Sequence, residues 1–154
     1  MKNLMYVWGV ILVGLASCTK PNPDPLAGAP QIDFSSKKYF KPSEIRASRF
    51  NIPCNEDAYW EGKKINLQGY VFRGNIDTVA RFFALYEGSD IRTLNAVTIY
   101  YSGSDVPKIT DLLMKNKDKF CFLTTSCTTE SLFTDRCVKA IIFNLTKFED
   151  IEFQ

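Results

Sequence analysis

The chain has 154 residues, 45% of them hydrophobic, with 19 basic and 17 acidic side chains and no histidine. That length fits one folded domain with its own core. A net charge of +2 argues against nucleic acid or an anionic surface as the main partner. The missing histidine removes the usual neutral-pH proton shuttle and the commonest metal ligand, which weighs against an enzyme.

In chain order, Met1-Lys2-Asn3 is a short cationic start, followed by an uncharged apolar run from Leu4 to Gly14. The run has the length of a signal-peptide core and is too short to span a bilayer as a helix. Small residues Ala16 and Ser17 then precede Cys18. The quartet Leu15-Ala16-Ser17-Cys18 resembles the bacterial lipobox. The resemblance implies that residues 1–17 are a lipoprotein signal peptide. It also implies diacylglyceryl transfer to the Cys18 thiol, cleavage before that residue and further acylation with palmitate-type chains. Two or more acyl chains anchor a protein stably where a single chain binds marginally. The expected partner is therefore a membrane, reached through lipid. Thr19 is not the aspartate that resembles an inner-membrane retention signal, so the expectation is a cell-envelope protein on the outer membrane. The competing reading is an ordinary cleaved signal followed by an incidental cysteine.

Residues 18–154 carry 18 basic and 17 acidic side chains, close to neutral. Pro21, Pro23, Pro25 and Pro30 mark residues 18–35 as an extended, proline-rich tether. The folded domain is expected over 36–154, opening with an N-terminal extension that Pro42 and Pro53 keep from regular structure. Asn55 to Trp60 suits one helical turn that Gly62 ends. Lys64 to Phe72 alternates, with Ile65, Leu67 and Val71 on one face and Gly69 among them. A glycine there marks a sharp bend or bulge. Arg73 to Asp77 reads as a turn, Val79 to Tyr86 as a second strand and Ala96 to Tyr101 as a third. Pro107 to Lys117 reads as an amphipathic helix, Phe120 to Thr125 as a fourth strand before a polar connection to Arg136, and Cys137 to Leu145 as a fifth.

The expected class is mostly β. Three strands, a helix and two strands follow the order of the OB-fold, a five-stranded Greek-key barrel with its helix between strands three and four. Glu61 to Val71, where hydrophobes alternate up to a mid-strand glycine, resembles the first strand of that fold. Another small barrel or sandwich with one helix is the rival. The OB resemblance implies a binding face on strands two and three, which draws attention to Arg81, Phe83, Arg92 and Tyr100. Basic and aromatic side chains suit stacking on sugars or peptides, although aromatics of this kind are more often core.

Cys54, Cys121, Cys127 and Cys137 remain once Cys18 is lipidated. An exported compartment favours disulfides, with free core thiols as the competitor. No paired Cys-x-x-Cys knuckles exist to hold zinc. If the chain forms the OB barrel, Cys127 and Cys137 would meet across a hairpin and Cys54 would reach Cys121. The carboxylates near Glu56, Asp57 and Glu61, and near Glu149, Asp150 and Glu152, read as solvated charges. No phosphate loop or nucleophile elbow is present. The expected function is a non-catalytic binding module for a peptide, glycan or protein ligand, without metal or cofactor. The second reading is a structural accessory subunit of an envelope complex.

Overall fold

A computed structural model describes residues 31–48, 51–53, 59–89, 95–131 and 138–154. The leader, Cys18, the tether to residue 30, Cys54, Glu56, Asp57, Arg92 and Cys137 lie outside the described residues. In chain order the elements are helix α1 (Pro42–Ala47), β1 (Asn51–Pro53), β2 (Lys64–Asp77), β3 (Phe82–Tyr86) and β4 (Ala96–Tyr101). Helix α2 (Val106–Lys115), β5 (Lys119–Ser131), β6 (Val138–Leu145), a 3₁₀ turn (Phe148–Asp150) and β7 (Ile151–Phe153) follow.

The mostly β architecture follows from two-residue periodicity. Along β2, Ile65, Leu67 and Val71 are buried while Asn66, Gln68, Tyr70 and Phe72 face partly outward. Along β5, Cys121, Leu123, Thr125 and Cys127 are buried and the residues between them are half-buried. One inward face per strand can be satisfied by closing the sheet on itself. The chain does so: β6, β4, β3, β2 and β5 are neighbours in that order, and β5 pairs back onto β6. Only the β4–β6 contact of this five-stranded ring is parallel, with Ile99 opposite Phe143. The short strands β1 and β7 add to β6 and β5 at opposite ends of the sheet order.

Inside the ring, Leu67, Val71, Phe83, Leu85, Ile99, Leu123, Phe143 and Leu145 are essentially fully buried, joined by Ile109 and Leu113 from α2. Gly69 lets two strands approach closely. A Cβ at this position would lie 2.4 Å from the Tyr86 carbonyl oxygen and 2.9 Å from Leu85 Cγ. The register runs unbroken through this glycine, so the bulge expected there is instead a close approach with no room for a side chain.

The N-terminal segment is packed rather than loose. Ile32 is buried, and Phe34 stacks edge-on against both Tyr59 and Trp60 at 5.2 Å. Phe40 forms a parallel bridge with Leu67. Its amide donates to the Asn66 carbonyl at 2.9 Å, and its own carbonyl accepts the Gln68 amide at 3.0 Å. Pro42, expected to break structure, instead starts α1. A helix tolerates proline in its first turn because the missing N–H has no intrahelical partner there. The Glu44 carboxylate accepts the Lys41 amide at 2.9 Å and so closes the helix start.

Two strand boundaries differ from expectation. The turn expected at Arg73–Asp77 is strand, and the reversal comes at Thr78–Arg81. Asp77 sets it, its Oδ1 accepting the amides of Val79 and Ala80 at 2.9 and 2.8 Å. Arg81 closes the turn with φ of 60°. Val79, which suggested a strand, is 91% exposed. The extra length of β2 is absorbed by an irregularity between Val71 and Ile76, where the register to β3 shifts. The fourth ring strand also continues past Thr125 to Ser131. Its threonines, β-branched and suited to a pleated surface, supply a ladder to β6 in which Thr128 faces Ile142.

Candidate functional site

A cleft of about 350 Å³ opens on the outer face of the ring, lined by Arg81, Tyr100, Ser102, Thr128, Glu130 and Asn144 among others. Strands β4, β5 and β6 and the turn before β3 bring these residues together. Tyr100 faces Phe82 across β3–β4 and Asn144 across β4–β6. Asn144 in turn faces Ser126 on β5, two residues from Thr128. The left-handed backbone of Arg81 places it at the head of β3, and its carbonyl accepts the Tyr101 amide at 2.9 Å.

The polar floor is ordered. Asn144 Nδ2 donates to Thr128 Oγ1 at 3.1 Å, and Ser126 Oγ donates to the Asn144 carbonyl at 3.3 Å. This leaves the Asn144 side-chain carbonyl and the Thr128 hydroxyl proton for a ligand. Arg81 and Glu130 add opposite charges, and among the described residues neither makes an ion pair. Tyr100 is 38% exposed, and its ring lies 5.8 Å from that of Phe82. Phe82 lines a second cleft of about 460 Å³ beside Asn75, Asp77 and Thr78. The Phe82–Tyr100 pair is therefore a ridge between two recesses, an arrangement that offers aromatic edge and hydrogen-bonding groups side by side.

Of the four residues singled out from sequence, Arg81 and Tyr100 share this cleft. Phe83 does not belong to it. It is fully buried inside the ring, because it sits one position out of phase with Phe82 on β3. Arg92 lies outside the described residues. Thr128 and Glu130 were missed because β5 was expected to end at Thr125, and continuing its alternation would have revealed them. Asn144 lies on the expected fifth strand, but its place beside β5 follows only from the β5–β6 register.

Other expected features resolve into structural roles. Trp60 is fully buried against Phe34 and Phe143. The Tyr59 hydroxyl donates to the Ile32 carbonyl at 2.5 Å, and burial raises the pKa of this phenol above its ordinary value. Glu61 Oε2 accepts the Thr129 amide and hydroxyl at 2.8 and 2.9 Å. A recess of about 610 Å³ contains Asp105, Glu149 and Asp150. Asp105 is occupied there, accepting the Phe148 amide at 3.4 Å and pairing with Lys108 at 3.5 Å. Among the described residues no cluster of three or more potential ligands could hold a metal ion.

A second outer surface went unnoticed in the sequence. Tyr39, Phe122, Phe120, Tyr70, Phe72 and Tyr86 form an unbroken aromatic row across the N-terminal segment, β5, β2 and β3. Successive ring centroids are 4.8 to 6.3 Å apart. The signal was present as aromatic pairs two apart, Tyr70 with Phe72 and Phe120 with Phe122, which a strand places on one face.

Cys121 and Cys127 are free, fully buried thiols. Burial pushes both up from an ordinary 9.0 to about 12, with the nearby Glu61 charge adding to the shift at Cys127. Each expected pairing used one of these thiols, Cys127 with Cys137 and Cys121 with Cys54, and as free thiols they make neither.

Comparisons with protein-family models, with curated proteins and with solved structures find no match to this chain.

Proposed function

We propose that this protein is a lipid-anchored lipoprotein of the cell envelope, held through Cys18 on the outer membrane, and that it acts as a non-catalytic binding module. Its scaffold is an OB-like Greek-key barrel. Supporting this are the closed ring, its single parallel contact between β4 and β6, and the position of α2 between the third and fourth ring strands. The observation that carries the binding role is the outer cleft. It combines an exposed Tyr100, Arg81 and Glu130 without ion-pair partners among the described residues, and a fixed Thr128–Asn144 floor. These groups suit a glycan or peptide with adjacent hydroxyl or amide groups and an apolar face.

The test is binding of the full-length chain to arrays of soluble oligosaccharides and short peptides, alongside Arg81→Ala and Tyr100→Ala. A ligand held by the native chain and lost by both variants supports the reading; a ligand unaffected by either defeats it. Anchoring is tested separately. The mature chain should start at Cys18 with acyl mass attached, and Cys18→Ala should leave the membrane fraction. Protease digestion on intact and lysed cells then reports which side of the membrane the domain faces.

The aromatic row favours a second reading, a docking subunit of an envelope complex. Tyr39 at one end of the row is 37% exposed, and crosslinking through this face would recover one recurrent protein neighbour.

A further inference from the structure

Residues from four ring strands stand level with one another on the outer face. Asp77 on β2 faces Phe82 on β3, Phe82 faces Tyr100 on β4, and Tyr100 faces Asn144 on β6. This line crosses the strands and joins the two recesses. Asp77 and Phe82 line the larger one, Tyr100 and Asn144 the other. Neighbouring strands lie about 4.8 Å apart, so the line spans about 14 Å. We propose that the two recesses are consecutive subsites for one uncharged oligosaccharide, laid across the strands with its middle ring on the Phe82–Tyr100 ridge. The proposal rests on the cleft reading above and extends it to a second recess, with Asn75, Asp77 and Thr78 as its polar groups.

The larger recess is a product of the irregularity in β2. The register to β3 passes from Val71–Leu85 to Ile76–Phe83, so residues 72–75 stand against Ala84 alone. The surplus chain forms one wall at Gly74 and Asn75. Ala84 keeps the floor open, because it is a small residue between the aromatic Phe82 and Tyr86 on the same face of β3. Bulges often serve to re-aim side chains beside a site. Asp77 is fixed there by the Val79 and Ala80 amides on its Oδ1, which leaves Oδ2 as the acceptor for a ligand. The Asn75 amide and the Thr78 hydroxyl each supply both donor and acceptor.

Three features select a sugar chain over a peptide. Both β3 and β4 are paired on either side, so the face presents no open strand edge for a peptide to extend. The groups on offer are amides, hydroxyls and carboxylates flanking aromatic rings, which match the hydroxyl rim and C–H faces of a sugar. A pyranose unit is about as long as one strand spacing, so about three units cover the line. Charge then excludes acidic glycans, since Asp77 and Glu130 outnumber Arg81 among the lining residues.

The test uses the full-length chain on an array of soluble mono- to hexasaccharides, neutral and uronic-acid-bearing, with short peptides alongside. A neutral glycan should be held, its affinity rising through the trisaccharide and levelling beyond it. Asn75→Ala should weaken that trisaccharide about tenfold, the share of one good hydrogen bond. Ala84→Leu, which fills the recess from the outer face of β3, should weaken it at least as much. Urea denaturation checks that both variants fold. A preferred ligand that is a peptide or an acidic glycan overturns the substrate class. A neutral glycan lost by Tyr100→Ala but unchanged in Asn75→Ala or Ala84→Leu overturns the second subsite and leaves the cleft reading standing. So does a trisaccharide held no more tightly than its monosaccharide. Binding that ignores Arg81→Ala and Tyr100→Ala defeats the cleft reading itself, and no binding to any probe overturns both.

Discussion

The ring has two contrasting outer surfaces, both resting on β5. Around Phe120 and Phe122, aromatic rings meet edge to face and are half-buried by one another. Further along the same strand, Thr128 and Glu130 border an open cleft where Tyr100 stands exposed and two opposite charges lack ion-pair partners among the described residues. The first surface spends its side chains on one another; the second leaves them available. Contact energy therefore concentrates on the aromatic side, whereas unfilled hydrogen-bonding groups concentrate on the polar side. A surface that is already satisfied gains little from a small ligand, but one with fixed, unfilled hydrogen-bonding groups does.

The largest expected effect tests the foundation of the aromatic surface. Gly69→Ala forces a Cβ onto the Tyr86 carbonyl, and backbone cannot rotate away as a side chain does. We expect a loss of about 3 kcal/mol, at the upper end for overpacking, measured by urea denaturation. A change within experimental error would mean that β2 and β3 are not held this close. Next, Phe120→Ala removes ring contacts with Tyr70 and Phe122 at 5.0 and 5.2 Å. About 2 kcal/mol is expected, roughly half the cost of truncating a fully buried phenylalanine. A double-mutant cycle with Tyr70→Ala should show coupling of about 0.5–1.5 kcal/mol.

Alkaline pH probes both surfaces through their shared strand. Cys121 and Cys127 are pushed up to about 12 in the folded state. Unfolding exposes them to water and lets them ionise at their ordinary value. Their contribution is therefore whole below about pH 8.5 and is lost as pH rises toward 12. Denaturation at stepped pH should show stability falling over that window, and Cys121→Ala with Cys127→Ala should flatten the fall. An equal slope in the double variant would show that other groups govern it. The smallest stability effect belongs to the cleft. Arg81→Ala and Tyr100→Ala should each shift stability by no more than about 0.5 kcal/mol while abolishing ligand binding. If Tyr100→Ala destabilised the fold as much as Phe120→Ala, the contrast between the surfaces would collapse.

The inward alternation of Ile65, Leu67 and Val71 and the helix after Ser104 were legible in the sequence, because each is a local pattern with a local cause. So was the mostly β class. The hairpin reversal was not, since Gly74-Asn75 is the stronger turn signal while Asp77 captures the amides that set the turn. Val79 misled for the same reason: an exposed valine in a turn reads as strand. Half of the cleft was visible as Arg81 and Tyr100. The other half depended on how far β5 continues, which is decided by its ladder to β6 rather than by its own composition. Phe83 shows the cost of a single step in phase, since its neighbour Phe82 lines the larger outer recess beside Asp77 while Phe83 fills the core.

The attachment of the N-terminal segment also sets how the domain would bear load. A pull arriving from residue 31 first meets Ile32, buried and held through its carbonyl by the Tyr59 hydroxyl. It next meets Phe34 wedged against Trp60, then Tyr39 against Phe122 on β5, and then the Phe40–Leu67 bridge. That bridge is parallel, so tension along the segment runs along β2 and strains its two hydrogen bonds together instead of opening them one at a time. Under such a pull the segment would act as a strain relief, in the manner of a cable clamp, with drag on the leading residues meeting these holds one after another before it reached the cleft.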